Sequence, residues 1–202
     1  MHPTFSVLCL VHGALLAAGC ASGDAAPEAA PATTPAPARL AIEFVPESES
    51  FAPATAEYTA IWQEDGDRIV RAMEARTGLT FEPGPIRAIV FEGVSMSGFR
   101  DIPMRMRASY PPATKRATLV HELGHRLLGE VATRDFEDHP VLFLFLYDVW
   151  VELYGREFAD AQVEVESARK GIYDYESAWR TALSMSAEER AAALQDFLRG
   201  RR

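Results

Sequence analysis

Apolar positions along the chain fall into three stretches with different rhythms. Near the start, "FSVLCLVHGALLAAGC" (Phe5–Cys20) is one apolar run that ends in small residues. It is short for a membrane-spanning helix and lies where a secretory signal would, so residues 1–19 are read as a signal peptide. Residues 21–39, "ASGDAAPEAAPATTPAPAR", offer Ala, Pro, Thr and a few charges, with nothing to bury. They are expected to form an extended linker. Amphipathic periodicity begins at Leu40, and one folded domain is expected over 40–202.

Within that domain the period changes. "RLAIEFV" (Arg39–Val45) alternates and predicts a strand. "IRAIVFEGV" (Ile86–Val94) is a short apolar run bounded by Pro85 and Gly93, which predicts a central strand. "MRMRASY" (Met104–Tyr110) places Met104, Met106, Ala108 and Tyr110 on one face and Arg105, Arg107 and Ser109 on the other, as a half-buried edge strand does. Between the first two strands, Ala54–Gly78 carries helical spacing, with Gly78 as its cap and "EDGD" at 64–67 as a place to bend or split. After Pro111-Pro112 the spacing is helical near 113–129, 140–157, 158–170, 174–184 and 187–199. "SAEE" at 186–189 resembles a capping box, and Gly200 closes the last helix. Strands first and helices later predict an α+β fold: a small antiparallel or mixed sheet followed by a mainly helical C-terminal half.

Composition narrows the function classes. Hydrophobic residues make up 48% of the 202 and charged residues 24%, an ordinary globular balance. The net charge is -9, and the only basic run is the Arg201-Arg202 tail, which argues against nucleic acid as the partner. The two cysteines are Cys9 and Cys20, so a mature domain without the signal has no thiol of its own. A metal site there must use His, Asp or Glu.

"ATLVHELGHRLLG" (Ala117–Gly129) carries the candidate chemistry. On a helix His121 and His125 share a face and can present both imidazoles to one ion, with Glu122 one residue round, within reach of a water on that ion. Leu119, Val120, Leu123 and Leu127 form a stripe assigned to the core. Ala117, His121, Gly124, His125 and Leu128 form a second face that is small except for the histidines. Gly124 costs about 1 kcal/mol against Ala in a helix, which points to a close approach by a neighbour.

Two resemblances follow from these residues. "LLAAGC" resembles the lipobox of bacterial lipoproteins, which implies cleavage before Cys20, lipid on its thiol, and a protein anchored to a membrane of the bacterial cell envelope. "HELGH" at 121–125 resembles the core motif of the zincin metallopeptidases. That resemblance implies zinc on His121 and His125, Glu122 activating a zinc-bound water, and a peptide or protein substrate. The metzincin extension is missing, because Leu128 and Val131 stand where Gly and His are required.

A catalytic zinc takes a third protein ligand. Downstream candidates are Glu130, Asp135, Glu137, Asp138, His139, Asp148 and Glu152. Asp148 is preferred, because it interrupts the apolar "VLFLFLYDVWVELYG" (Val141–Gly155), where an unpaired carboxylate is costly. The other account of it is a partnership with a buried Arg or a helix cap. A helix starting near Pro140 and packing back on the motif helix is expected to reach the metal's level after two turns, at Asp148. Glu152, one turn further, and His139 are the runners-up. In the gluzincin branch of the zincins the third ligand is a glutamate, with an aspartate four residues later, so the two acids here are exchanged. The strand at 104–110 precedes the motif helix as the substrate-binding edge strand does in zincins, which implies substrate binding by strand addition. Tyr147, Tyr154, Tyr173 and Tyr175 are candidate donors to the oxyanion. The competing readings are a zinc-binding envelope lipoprotein without turnover, serving as scaffold or metal carrier, and an interaction module whose histidines are structural.

Overall fold

A computed structural model of the chain describes residues 40–129, 138–170 and 173–200, all within one compact unit spanning Pro37–Arg202. The signal peptide, Cys20 and the Pro/Ala-rich linker lie outside the described residues, as do Glu130, Asp135 and Glu137. Among the described residues no helix is long and apolar enough to cross a membrane.

The fold is α+β. Three strands, β1 (Leu40–Pro46), β2 (Gly84–Phe91) and β3 (Met104–Arg107), form a sheet in the order β1-β2-β3. Both pairings are parallel, which corrects the antiparallel or mixed sheet expected from the sequence. The helix α1 (Ala52–Thr77) lies between β1 and β2 in the chain and carries it back to the end of the sheet where β1 began, so β2 starts beside β1 and runs the same way. Alternation reports which face of a strand is buried but not the direction of its neighbour, and this is why the sequence left the pairing open.

The central position expected for β2 is observed: Ile86, Ala88 and Val90 are buried between β1 and β3. In β3 Met104 and Met106 are buried and Arg105 and Arg107 point outward, as the alternation requires. The strand stops at Arg107, before Ala108 and Tyr110. Its outer edge is already engaged. Arg105 exchanges both backbone bonds with Met96, Arg107 N donates to Ser95 Oγ, and Arg107 O accepts from Tyr58 Oη. Strand addition by a substrate at β3 therefore has no open ladder at these two residues, which corrects that expectation.

The "EDGD" segment does not break α1, which runs uninterrupted for 26 residues to a left-handed Gly78 cap. Gly66 lies beneath the Trp62 ring, where an added Cβ would come within 2.9 Å. Asp65 is buried and held by Arg68, Arg116 and Tyr154. These polar residues thus belong to an interhelical network rather than to a turn.

Five helices follow: α2 (Pro112–Leu128), α3 (His139–Tyr154), α4 (Arg156–Ser167), α5 (Tyr175–Leu183) and α6 (Ala187–Arg199). The Ser186/Glu189 capping box of α6 is present in both directions. A helix apolar all round must be enclosed, and α3 packs against α1, α2, α4, α5 and α6. Leu142, Phe143, Leu146, Val149 and Trp150 on it are fully buried. Leu119, Val120, Leu123 and Leu127 of α2 are buried, as their stripe predicts.

The helices α2 and α3 meet at Gly124. A Cβ there would stand 2.4 Å from Leu142 Cδ1 and 3.4 Å from Met73 Cε, so the glycine is required by the approach of the neighbouring helix. Gly124→Ala gains about 1 kcal/mol of helix propensity and costs roughly 1–3 kcal/mol of overpacking against a buried Leu142. A net loss of about 1 kcal/mol is expected, read as a lower urea midpoint with an unchanged m-value.

Candidate metal centre

The Gly124–Leu142 contact decides which residues face the motif histidines. Leu142 is in the first turn of α3, so that turn lies beside α2 and carries its first residue, His139, to His121 and His125. The ring centroids of His139 lie 5.4 Å from those of His121 and 4.8 Å from those of His125. One donor nitrogen from each of His121, His125 and His139 falls within 4.8 Å of the others, close enough for the three to bind a single metal ion.

A carboxylate stands behind each of the two α2 rings. His125 Nδ1 is 2.7 Å from Asp138 Oδ2. His121 Nδ1 is 2.8 Å from Glu166 Oε1 on α4, a salt-bridge distance, with the in-plane N–H direction off the oxygen. Their Nε2 atoms then face each other at 3.1 Å. With carboxylates behind both Nδ1 atoms, the two Nε2 atoms are left to share one proton or to hold a cation between them. Such a pair repels unless a proton or a cation sits between the nitrogens. For two imidazoles on one tetrahedral zinc the nitrogens lie about 3.3 Å apart, close to the separation found. A carboxylate–histidine pair behind each ligand is the arrangement that holds metal-binding imidazoles in place.

Electrostatics differ across the donor set: burial works against charge on His125, but the Asp138 hydrogen bond and the nearby carboxylates outweigh it and raise the imidazole above its ordinary value. Burial and the two neighbouring imidazoles push His139 down to about 3, so it is neutral, as a metal ligand must be. Burial works against charge on Glu166, but His121, Arg169 and the Trp179 indole outweigh it and hold the carboxyl below the ordinary glutamate value. Trp179 Nε1 donates to Glu166 Oε2 at 3.1 Å, and Arg169 lies 3.5 Å from its other oxygen. Burial also works against the Asp138 charge, and there the His125 hydrogen bond wins. Glu122 is buried, and burial raises its carboxyl above the usual range against the pull of His121 and His125.

Asp148, the preferred third ligand, is not at this cluster. It lies nine residues beyond His139, about 13 Å along the helix axis, and makes a bidentate pair with Arg190 at 2.7 and 2.9 Å. The expected offset of two turns fails because α3 begins level with the histidines instead of climbing toward them. Glu152, one turn further, pairs with Arg76 on the surface. The runner-up His139 is the one that stands beside His121 and His125.

Of the four tyrosines, Tyr175 and Tyr173 are at the cluster, 4.6 and 4.8 Å from the His139 ring between centroids. Tyr147 bonds Asp160 and Tyr154 bonds Asp65, both committed elsewhere. Glu166 escaped the sequence reading, although a signal was present. It continues the buried stripe Ala159, Gln162, Glu166 on α4, where an acid needs a partner.

Comparison with protein-family models, with curated proteins and with solved structures gave no match. The site is therefore read from its own chemistry.

Two variants separate the roles of the acids. Asp148→Ala strands a buried Arg190 and is expected to cost about 3 kcal/mol in urea unfolding while leaving metal content unchanged. Glu166→Gln is expected to weaken metal binding by about 10- to 100-fold in a competitive chelator titration, with the helical circular dichroism retained.

Proposed function

We propose that this chain is a zinc-dependent hydrolase of peptide bonds, with His121, His125 and His139 as metal ligands and Glu122 as general base. The observation that carries the reading is the pair of Nε2 atoms 3.1 Å apart, with carboxylates at both Nδ1 atoms and a third imidazole beside them. Imidazole ligands suit zinc, and a three-histidine set leaves a fourth position open.

A divalent metal there supplies Lewis acidity and lowers the pKa of water. The rest of the work falls to the chain. Glu122 follows His121 on α2, and burial raises its carboxyl above the usual range, the direction in which a general base is tuned. It accepts the proton of the attacking water and returns it to the leaving amine. Asp138 and Glu166 keep the two α2 imidazoles oriented throughout. The lipobox-like Cys20 and the linker after it support lipid anchoring of this activity at the bacterial cell envelope.

A second reading, an envelope lipoprotein that holds zinc without turnover, is favoured by the depth of the cluster: His121 is 2% exposed, His139 4% and Glu122 5%. The test is metal analysis followed by turnover. Wild type is expected to carry about one zinc per chain, lost in His121→Ala and His139→Ala and kept in Glu152→Ala. Glu122→Gln is expected to keep zinc and lose roughly 10²- to 10⁴-fold in cleavage of a quenched-fluorescent peptide library. Zinc without cleavage in wild type selects the second reading. A folded wild type that takes up no zinc sinks both.

A further inference from the structure

Beside the imidazole cluster, Ser167, Arg169 and Lys170 after α4 and Tyr173 and Tyr175 at the start of α5 border a cleft of about 280 Å³. Pockets for small ligands begin near this size, so it suits one terminal group of a ligand rather than a long segment. Two of its walls, Tyr173 and Tyr175, are the rings that pack on His139, so the cleft opens next to the proposed metal ligands.

The lining is rich in donors. Arg169 and Lys170 bring two cations, and Ser167, Tyr173 and Tyr175 bring hydroxyls. Two acids also border the cleft, but each has its own task. Asp174 accepts from Ser177 N at 3.0 Å and caps α5, and Glu176 pairs with Arg180 at 2.7 Å. Arg169 reaches Glu166 through one nitrogen at 3.5 Å and lies 5.7 Å from the Tyr175 ring centroid. A guanidinium has five N–H donors, so this leaves part of its fork for a ligand. The exposed Lys170 stands beside it.

We propose that this cleft receives the free C-terminal carboxylate of a peptide, gripped by Arg169 and Lys170. The guanidinium fork matches a carboxylate in two contacts, and the ammonium adds a second point of charge. The Tyr173 and Tyr175 rings supply an apolar wall for the terminal side chain. The choice of a peptide end over another anion rests on the peptidase reading above. It makes the chain a hydrolase that acts close to the C-terminus of short peptides, not in the middle of long ones.

The test is calorimetric binding of N-acetyl-alanyl-phenylalanine, of its C-terminal amide and of inorganic phosphate to the full-length protein, zinc-loaded and chelator-treated. The acid is expected to bind at least about tenfold tighter than the amide in wild type. That preference is expected to fall below about threefold in Arg169→Gln and in Lys170→Gln. Lys170→Gln changes an exposed side chain and keeps the fold, so it remains informative if loss of Arg169 disturbs Glu166. Equal binding of acid and amide, or binding of neither, overturns the proposal. Phosphate binding as tight as the acid also overturns it, because the cleft is then a general anion site. An acid preference that persists in a chain unable to take up zinc supports the cleft while sinking the metallopeptidase reading.

Discussion

The approach of α2 and α3 at Gly124 sets the geometry of everything around it. With no side chain at 124, the Leu142 methyl group occupies the space a Cβ would fill, and the first turn of α3 lies against the middle of α2. His139 is in that turn, so a histidine remote from the motif in sequence becomes its neighbour in space. The same contact buries α3 among five other helices, which is why its sequence is apolar nearly all round. An acid on such a helix must bring its own counter-ion. Asp148 does so with Arg190, whose remaining donors satisfy the carbonyls of Ala182 and Met185 at the end of α5. The acid that looked like a ligand holds a joint between helices.

Burying this many polar groups is expensive unless each has a partner. The site meets that cost in tiers. Asp138 and Glu166 stand behind His125 and His121, and Glu166 is itself held by Trp179 and Arg169. Arg169 then lies against Tyr175, whose phenol burial pushes up to about 12, so it stays an O–H donor. Each tier fixes the direction of the one in front. The front tier ends in imidazole nitrogens facing one another, an arrangement that makes physical sense around a cation.

Much of the fold was legible, for reasons particular to each element. The period of β3 was readable because Met104 and Met106 alternate with arginines, and α6 was readable to the residue because Ser186 and Glu189 cap it reciprocally. Strand direction was not, because no periodicity records whether a partner runs parallel. The "EDGD" segment misled because polar residues inside a helix look like an exit, whereas Asp65 and Gly66 face a buried network and a tryptophan ring. At the cluster, the closeness of His121 and His125 was legible because their spacing is local. The third histidine depends on where two helices cross, and the crossing is written only in one glycine. Gly124 was noticed as a sign of close approach, but a sequence does not say which helix approaches or at what level.

The two flanks of the imidazole cluster differ in what they leave open to a ligand. An edge strand beside a catalytic helix is a natural docking ladder, yet Met96, Ser95 and Tyr58 already take the outward backbone groups of Arg105 and Arg107. A peptide there has to displace contacts the chain makes with itself, a cost on top of ordering the peptide. The flank at Arg169, Lys170, Tyr173 and Tyr175 asks for less. It offers a cleft, the exposed Lys170 beside the Glu166-paired Arg169, and two aromatic rings in contact with His139. Tyr173 on this flank is exposed while the ring of His139 beneath it is buried. The polar tiers that orient the imidazoles come from this same side of the molecule. Arg169 thus has two sides: it lines the cleft and lies 3.5 Å from Glu166, the carboxylate behind His121.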